Sequence, residues 1–184
     1  KTGPGHASIA TGTPPAINGI IANDWFDKQS GKHRYCVDDH NFLSLGTAKT
    51  KGKAPTALLV STFADENRLA TQMNGKAVSV SLKDRSAILS IGHTANGVYW
   101  FSGGDEGNFI SSTFYMDALP AWVADFNASR KIDDYLTTWD TYYPITQYIE
   151  TGPDDSPYEK RPKEKETPTF PYDLAALAAF NGGY

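Results

Sequence analysis

The chain has little cysteine and no long apolar runs. Cys36 is the only cysteine among the 184 residues, so no disulfide bond can form within the chain. No apolar run approaches the roughly 20 residues that a membrane-spanning helix needs. Basic residues are not in excess either, since 17 lysines and arginines stand against 21 aspartates and glutamates, a net charge of −4. We therefore expect no membrane span and no nucleic-acid-binding surface, because nucleic-acid binding usually leaves a basic footprint.

The two ends of the chain also lack expected features. The sequence does not begin with methionine, and no signal peptide is visible at Lys1. A functional group at the tip of a helix normally follows a strand, and no residues precede Lys1 to form one. The last residues, Ala178 to Tyr184, are typical of a helix with a glycine stop at Gly182. We expect the chain to be a portion of a longer protein.

The composition is that of a globular protein. Apolar residues make up 40% of the chain and aromatic residues 12%, which is typical of a sequence that buries a core. A length of 184 residues allows one large domain or two small ones.

Local patterns predict an α/β fold, because strands alternate with helices along the chain. Alternating apolar residues predict strands over 77–82, 97–101 and 108–114, and a hairpin with arms 22–26 and 33–37. Helical spacing, prolines and glycine stops predict helices over 7–11, 55–60, 65–72, 86–91, 119–127 and 133–139, and a last helix capped by Asp173. Residues 41–53 and 150–171 are predicted to be loops, the second of them solvated and of mixed charge.

Thr2 opens a glycine-rich stretch, Thr2-Gly3-Pro4-Gly5. The start of a helix presents unpaired N–H groups and a partial positive charge, so a hydroxyl there faces a natural anion site. Gly3 and Gly5 lack Cβ atoms, which would let a phosphate-sized group approach the backbone. Taken alone, the stretch favours an ordinary turn over a nucleophile.

Lys83 and Arg85 lie two positions apart at the predicted carboxyl end of a strand. Side chains alternate along a strand, so both would point to the same side of the sheet. Ligands of α/β sheets bind beyond the carboxyl ends of strands, and a lysine beside a guanidinium suits a dianionic phosphoryl group. Two solvated charges at a strand end are the alternative.

Asn23 stands where the predicted hairpin begins. An uncharged amide can donate a hydrogen bond to a phosphoryl oxygen without neutralising a metal or a nucleophile. A turn asparagine is the alternative interpretation.

Three segments are specific when they are taken together. They are Thr2-Gly3-Pro4-Gly5-His6-Ala7-Ser8-Ile9, Gly19-Ile20-Ile21-Ala22-Asn23-Asp24-Trp25 and Val80-Ser81-Leu82-Lys83-Asp84-Arg85-Ser86-Ala87. In this order they resemble the bacterial alkaline phosphatases with a threonine nucleophile, which share a superfamily with the type I phosphodiesterases and nucleotide pyrophosphatases. The resemblance implies a mixed or parallel sheet flanked by helices, with hairpin and loop insertions. It also makes residues 1–184 the N-terminal, nucleophile-bearing portion of one catalytic domain.

The resemblance implies a role for each matched residue. Thr2 would be the nucleophile that becomes phosphorylated and a ligand of one of two zinc ions. Asn23 would hydrogen-bond a non-bridging phosphate oxygen, and Lys83 and Arg85 would contact the phosphoryl group from the other side. The implied activity is zinc-dependent hydrolysis of small phosphate monoesters, in the periplasm or outside the cell. A phosphodiesterase or nucleotide pyrophosphatase is the nearest alternative, and two extra cations count against it because they favour a dianionic monoester over a monoanionic diester.

The family's other zinc ligands are aspartates and histidines whose motifs do not occur in this chain. The segment Asp38–His40 is a candidate replacement, but it does not match the family's Asp-His pair and a turn is favoured there. We expect His6 to pack or hydrogen-bond beneath the Thr2 turn, and His33 and His93 to be surface or loop residues. The isolated chain is expected to be inactive for lack of metal ligands, and a catalytically incomplete phosphate-binding fragment is the alternative function.

Overall fold

A computed structural model describes residues 1–28, 30–162, 165–181 and 183. They divide into two compact units. Unit 1 consists of Lys1–Ser102 and Asn108–Asp125, and unit 2 consists of Gly103–Gly107 and Phe126–Tyr184. Gln29 in the predicted hairpin turn, Lys163 and Glu164 in the predicted charged loop, and the predicted stop Gly182 lie outside the described residues.

Unit 1 contains most of the regular structure. Its helices are α1 (Thr2–Thr11), α2 (Pro15–Asn18), α3 (Phe63–Ala70), α4 (Asp84–Ile91) and the greater part of α5 (Ala121–Ala128). Its strands are β1 (Asp24–Asp27), β2 (Lys32–Tyr35), β3 (Ser44–Leu45), β4 (Val78–Ser81), β5 (Gly97–Phe101) and β6 (Phe109–Ser112). No helix in the described part of the chain combines the length and apolar character needed to span a bilayer.

The main sheet of unit 1 has the strand order β3-β6-β5-β4. Strands β4 and β5 are parallel, with Val80 opposite Tyr99, whereas β6 is antiparallel to both β5 and β3. Residues 97–100 of β5 are all buried, as expected for a central strand with an apolar run. The predicted α/β class with a mixed sheet and flanking helices is confirmed.

Helix α1 packs against α4, and both belong to the apolar core. The buried face of α1 carries the small residues Ala7 and Ala10, which allow a close approach between helices. The α4 side of the contact supplies larger buried residues, among them Ile88 and Leu89. Gly12 ends α1 in the left-handed conformation, with φ of 66°, as the predicted glycine stop requires.

Strands β1 and β2 form the predicted antiparallel hairpin. Trp25 stands opposite Arg34, whose guanidinium carbon lies 5.8 Å from the centre of the indole ring. The turn uses Gly31 at a φ of 68°, a conformation that glycine adopts without strain. This hairpin brings Asn23 at its entrance next to Cys36 at its exit, because Cys36 N–H donates to the Asn23 carbonyl at 2.8 Å.

The predicted helix over 55–60 is wrong. Leu58 N–H bonds to the carbonyl of Pro55 in a turn, and Leu59 N–H bonds instead to the carbonyl of Asn18. A helix would have needed the Leu59 N–H for its own ladder, so the bond to the end of α2 replaces helical pairing. The regular helix begins only at Phe63, after Thr62 as its N-cap.

Larger differences from the predictions occur in three other segments. Helix α1 begins at Thr2 and not at 7, so the Gly-Pro-Gly stretch is helical and not a preceding turn. The predicted loop 41–53 contains the short strand β3. Residues 133–139 form the end of a 3₁₀ helix, Lys131–Tyr135, and then the strand β7, Thr138–Trp139.

Unit 2 consists of irregular chain around a small sheet. Strand β7 pairs antiparallel with β8 (Tyr172–Asp173), and helix α6 (Leu174–Asn181) follows directly. Asp173 caps this helix as predicted, because its Oδ1 accepts a hydrogen bond from Ala176 N–H at 3.0 Å. The described residues of 150–171 form no helix or strand.

Asp65 is a buried carboxylate that ties α3 to the end of α4. Its Oδ1 accepts hydrogen bonds of 2.8 Å from the N–H groups of His93 and Thr94 and from the Thr94 hydroxyl. Its Oδ2 accepts from the N–H of Thr62, which completes a capping box at the start of α3. A Cβ at Gly92 would stand 2.0 Å from Oδ2, so the close approach requires glycine at the end of α4.

Replacement of Asp65 by asparagine tests this interaction. Burial alone would raise the pKa of Asp65, but hydrogen bonds from Thr62, Thr94 and His93 outweigh it and hold the pKa below its usual value. We expect Asp65→Asn to lower the free energy of unfolding by about 3 kcal/mol at pH 7, because an amide donor replaces one acceptor oxygen. Urea unfolding followed by circular dichroism measures the change.

Glu66→Gln is the matched control, since Glu66 is an exposed acid in the same first turn of α3. It should cost less than about 1 kcal/mol. Because the folded pKa of Asp65 is depressed, its contribution is present above the unfolded pKa of about 3.9 and is lost as pH falls below it. If both variants lose the same free energy of unfolding at pH 7, the buried hydrogen bonds of Asp65 stabilise the fold no more than an exposed acid does.

Candidate functional site

Thr2 is the first residue of α1 and is partly buried. Lys1 is the N-cap residue, and its carbonyl accepts the first helical hydrogen bond from Gly5 N–H at 3.1 Å. Pro4 is tolerated because the first turn of a helix needs no N–H from that position. His6 bonds through Nδ1 to the Thr2 carbonyl at 2.9 Å, which matches the expectation of a histidine beneath Thr2.

The side chain of Asn23 is bound to the start of α1. Gly3 N–H donates to Asn23 Oδ1 at 2.7 Å. The carbonyl half of the amide is thereby used, and the NH₂ group remains as its donor. This is the polarity that a hydrogen bond to a phosphoryl oxygen needs.

Gly3 is needed for a protein contact and not for access of a ligand to the backbone. A Cβ at this position would lie 3.0 Å from Asn23 Oδ1 and 3.3 Å from Cys36 Sγ. The expectation that Gly3 opens the backbone to a phosphate-sized group is therefore wrong, since its N–H faces Asn23. Gly5 does face open space, with no atom within 4 Å of the position of its Cβ.

Cys36 lies beneath this contact and is fully buried. Burial raises the pKa of the Cys36 thiol to about 12, and the carboxylate of Asp84 adds to the shift. A buried thiol with this pKa is protonated at neutral pH and unreactive, so Cys36 serves as a packing residue.

Lys83 and Arg85 belong to the start of α4 and not to a strand. Strand β4 ends at Ser81, Lys83 is the N-cap of α4, and Arg85 lies in the first helical turn. The argument that alternation along a strand sends both side chains to one side is therefore wrong, because that geometry does not extend to these positions. The Lys83 side chain is exposed, whereas that of Arg85 is partly buried.

Arg85 is held by a tyrosine from the hairpin. Its Nη1 donates to the Tyr35 hydroxyl at 2.7 Å, and that hydroxyl donates to Asp84 Oδ1 at 2.6 Å. Asp84 Oδ1 also accepts from the Arg85 N–H at 2.7 Å, and Asp84 Oδ2 lies 3.4 Å from Lys53 Nζ. The Lys53 ammonium group forms a second ion pair with Asp38.

The structure thus assembles three of the four predicted residues from several elements. Thr2 adjoins Asn23 through Gly3, and Arg85 adjoins the end of the same hairpin through Tyr35. Helix α1, which carries Thr2, packs against helix α4, which carries Arg85. Lys83 stands two positions before Arg85 with its side chain free to face solvent or a ligand.

Sequence reasoning missed Tyr35, Lys53 and the role of Asp84. Asp84 lies inside the Lys-Asp-Arg segment and could have been considered as a partner of either cation. Tyr35 and Lys53 carry no local signal, because they contact residues 49 and 31 positions further along the chain.

The described residues do not make a complete metal site. No group of three or more histidine, cysteine, aspartate or glutamate side chains in this part of the chain could hold a metal ion. The candidate segment Asp38–His40 is engaged otherwise, since Asp38 pairs with Lys53. Asp39 accepts from the Asn41 N–H at 2.9 Å and from the Thr56 hydroxyl at 2.8 Å. Although burial opposes it, these bonds hold the pKa of Asp39 below its usual value.

The other histidines have structural contacts. The His33 ring packs edge-on against Phe26 at 5.6 Å across the hairpin. His93 lies with Nδ1 3.3 Å from Asp65 Oδ2 and with Nε2 3.1 Å from the carbonyl oxygen of Leu58. Thr2 stays a candidate metal ligand through the resemblance, and two zinc ions would need further ligands.

Comparison with known proteins relates the whole chain to one family. The family model described as type I phosphodiesterase / nucleotide pyrophosphatase matches residues 1–177. Alkaline phosphatase PhoV of Synechococcus elongatus is 51% identical over 170 residues, which are 91% of this chain and 31% of the relative. A relative in Myroides odoratus, named a calcium-transporting ATPase, is 43% identical over 180 residues, 97% of this chain and 33% of the relative.

Alkaline phosphatase PafA of Elizabethkingia meningoseptica is 44% identical over 176 residues, 93% of this chain and 32% of the relative. The crystal structure of wild-type PafA superposes with a TM-score of 0.91 at 42% identity, over 97% of this chain and 35% of that one. A PafA variant in which a threonine, an asparagine, a lysine and an arginine are replaced gives a TM-score of 0.89 at 41% identity, over 95% of this chain and 34% of that one. The chain spans about a third of the length of the curated relatives it matches.

Two glycine substitutions in α1 test the contact between Gly3 and Asn23. We expect Gly3→Ala to lower the free energy of unfolding by about 1–3 kcal/mol, because the new Cβ crowds Asn23 Oδ1 and Cys36 Sγ. Gly5→Ala is the control in the same helix, and it should raise stability by up to about 1 kcal/mol, because alanine is the better helix former. Thermal unfolding measures both, and a destabilisation that is equal in the two variants would contradict the assigned contact.

Proposed function

Because the chain belongs to the type I phosphodiesterase/nucleotide pyrophosphatase family, we propose that the protein carrying it is an alkaline phosphatase that hydrolyses phosphate monoesters. The nucleophile is the Thr2 hydroxyl, and the reaction passes through phosphothreonine. The observation that carries this proposal is the hydrogen bond between Gly3 and Asn23, which fixes a side-chain amide next to Thr2 at a helix start.

The proposed reaction has two displacements at phosphorus. In the first, Thr2 Oγ gives its proton to solvent and bonds to phosphorus, while the bond from phosphorus to the ester oxygen breaks and that oxygen takes a proton from solvent as the alcohol departs. In the second, water bonds to phosphorus, the bond to Thr2 Oγ breaks, and inorganic phosphate leaves with the hydroxyl restored. Two steps replace one difficult hydrolysis, which is the usual advantage of a covalent intermediate.

Charge and hydrogen bonding support the preference for monoesters. The Asn23 carbonyl oxygen is bound to Gly3, which leaves the NH₂ group to donate to a non-bridging oxygen. Lys83 and Arg85 add two positive charges at the start of α4, where the helix dipole is also positive. A dianionic monoester gains more from this field than a monoanionic diester, so a phosphodiesterase is the weaker candidate.

The replaced residues of the PafA variant support the choice of these four. The replaced threonine and asparagine of that protein are 21 positions apart, as Thr2 and Asn23 are here. Its replaced lysine and arginine are two positions apart, as Lys83 and Arg85 are.

Zinc is part of the proposal through the resemblance to these enzymes. Two zinc ions would stabilise the attacking and the leaving oxygen and make the threonine hydroxyl easier to deprotonate. Thr2 is the ligand that this chain would supply, and we expect the others from the rest of the longer protein. On its own, the chain would then bind a phosphate group without hydrolysing the ester. We further expect small-molecule monoesters as substrates and a periplasmic or secreted location.

Substitution of the nucleophile tests the mechanism. In the intact protein that carries this chain, Thr2→Ala should lower the rate of aryl phosphate monoester hydrolysis by at least about 10⁴-fold, because no nucleophile remains. Thr2→Ser keeps a hydroxyl and should retain turnover, with phosphate found on the substituted side chain after acid quenching and mass spectrometry. Full activity of the Thr2→Ala variant would disprove the mechanism.

Substitution of the two cations tests the substrate class. We expect Lys83→Ala combined with Arg85→Ala to lower kcat/KM for an aryl monoester by about 10³-fold or more, and for an aryl diester by far less. Lys76→Ala, an exposed lysine before the other end of β4, is the control and should change neither value. If monoester and diester lose equally, the assignment as a monoesterase fails.

A further inference from the structure

We infer that Tyr35, anchored by Asp84, is a positioning residue that orients the Arg85 guanidinium toward the phosphoryl group. This inference rests on the proposed function, in which Arg85 binds that group. It adds Tyr35 and Asp84 to the site, and neither residue contacts the substrate directly.

Tyr35 is a bridge with a fixed direction. Its hydroxyl accepts from Arg85 Nη1 at 2.7 Å and donates to Asp84 Oδ1 at 2.6 Å. Because the phenol proton is given to Asp84, the oxygen lone pairs are turned toward Arg85. The guanidinium carbon also lies 5.8 Å from the centre of the Tyr35 ring, so the ring limits its movement.

The contact leaves one edge of the guanidinium for a ligand. A guanidinium binds an oxyanion best through two parallel N–H groups, and Tyr35 uses Nη1, which lies away from the edge formed by Nε and Nη2. Arg85 Nε is buried and has no hydrogen-bond partner in the described part of the chain. A buried donor without a partner is costly, and an incoming phosphoryl oxygen is the kind of acceptor that removes this cost.

A neutral hydroxyl suits this task better than a carboxylate would. A direct carboxylate partner would neutralise Arg85 and repel a dianionic substrate, whereas a phenol fixes the guanidinium and leaves its charge. The negative charge of the nearby Asp84 is instead partly compensated by Lys53, 3.4 Å from Oδ2, with the Lys53 and Asp84 side chains only 14% and 16% exposed. Lys53 also lies 4.8 Å from the centre of the Tyr35 ring.

Tyr35 stays neutral under alkaline conditions. Burial, and next the hydrogen bond to Asp84, raise the pKa of the Tyr35 phenol well above its usual value. The bridge therefore keeps its proton in the pH range where an ordinary tyrosine begins to ionise, near 10.

A double-mutant cycle in the intact protein tests the inference. Tyr35→Phe keeps the ring and removes the hydroxyl, and we expect it to lower kcat/KM for an aryl monoester by about 10-fold or more. An aryl diester should lose less than about threefold, because it depends less on Arg85. In an Arg85→Ala background, Tyr35→Phe should cause no further loss beyond about twofold, since nothing remains to be positioned.

Three further variants separate positioning from a merely structural role. Tyr115→Phe is the matched control, since it also removes a buried hydroxyl hydrogen bond, of 2.9 Å to the carbonyl of Gly92 at the far end of α4. It should leave the ratio of monoester to diester activity unchanged. Asp84→Ala should act like Tyr35→Phe, whereas Asp84→Asn keeps an oxygen that accepts from Tyr35 and should restore most of the activity.

Each outcome decides the inference. Equal losses of monoester and diester activity in Tyr35→Phe, or a loss that multiplies with that of Arg85→Ala, would overturn it while the proposed function stands. If Arg85→Ala itself leaves monoester turnover unchanged, both the inference and the proposed role of Arg85 fail. A loss confined to the monoester that disappears in the Arg85→Ala background supports it.

Discussion

The 2.7 Å hydrogen bond from Gly3 N–H to Asn23 Oδ1 holds the start of α1 to the entrance of the hairpin. Glycine at position 3 favours it, since a Cβ there would lie 3.0 Å from Asn23 Oδ1 and 3.3 Å from the Cys36 sulfur. The bond determines two properties of the candidate site at once. It places Thr2 beside an amide, and it turns the NH₂ half of that amide into the free donor.

The β1–β2 hairpin, and not the main sheet, joins the two halves of the site. Asn23 at its entrance and Cys36 at its exit are joined by a backbone hydrogen bond of 2.8 Å, and Tyr35 precedes Cys36. One side of this short segment contacts Gly3 in α1, and the other holds Arg85 in α4. The sheet contributes indirectly, because β4 leads into α4 and α1 packs on α4. A shift of the hairpin would therefore move Thr2 and Arg85 relative to each other.

Local sequence patterns predicted much of this architecture and little of the site's internal geometry. The hairpin, β5 and α4 follow from alternation, helical spacing and glycine stops, all of which act within a few residues. The prediction of a helix over 55–60 failed because Leu59 bonds to Asn18, a partner about 40 positions away that no local pattern reveals. The Tyr35 contacts with Asp84 and Arg85 span 49 and 50 positions and were missed for the same reason. The four proposed site residues were singled out only through motifs recognised together, since each motif was weak alone.

The distribution of charge explains why several side chains hold Arg85 in place. Asp84 is needed to fix the phenol, but an uncompensated carboxylate near the site would repel a phosphate dianion. Lys53 forms ion pairs with both Asp84 and Asp38, so it reduces the negative charge behind Tyr35 without cancelling it. Arg85 contacts only the neutral hydroxyl of this group through its side chain, and Lys83 is exposed beside it. In the proposed function, the neutral Tyr35 hydroxyl would separate the Arg85 cation that binds substrate from these ion pairs, and a monoester, with two negative charges, would gain most from that cation.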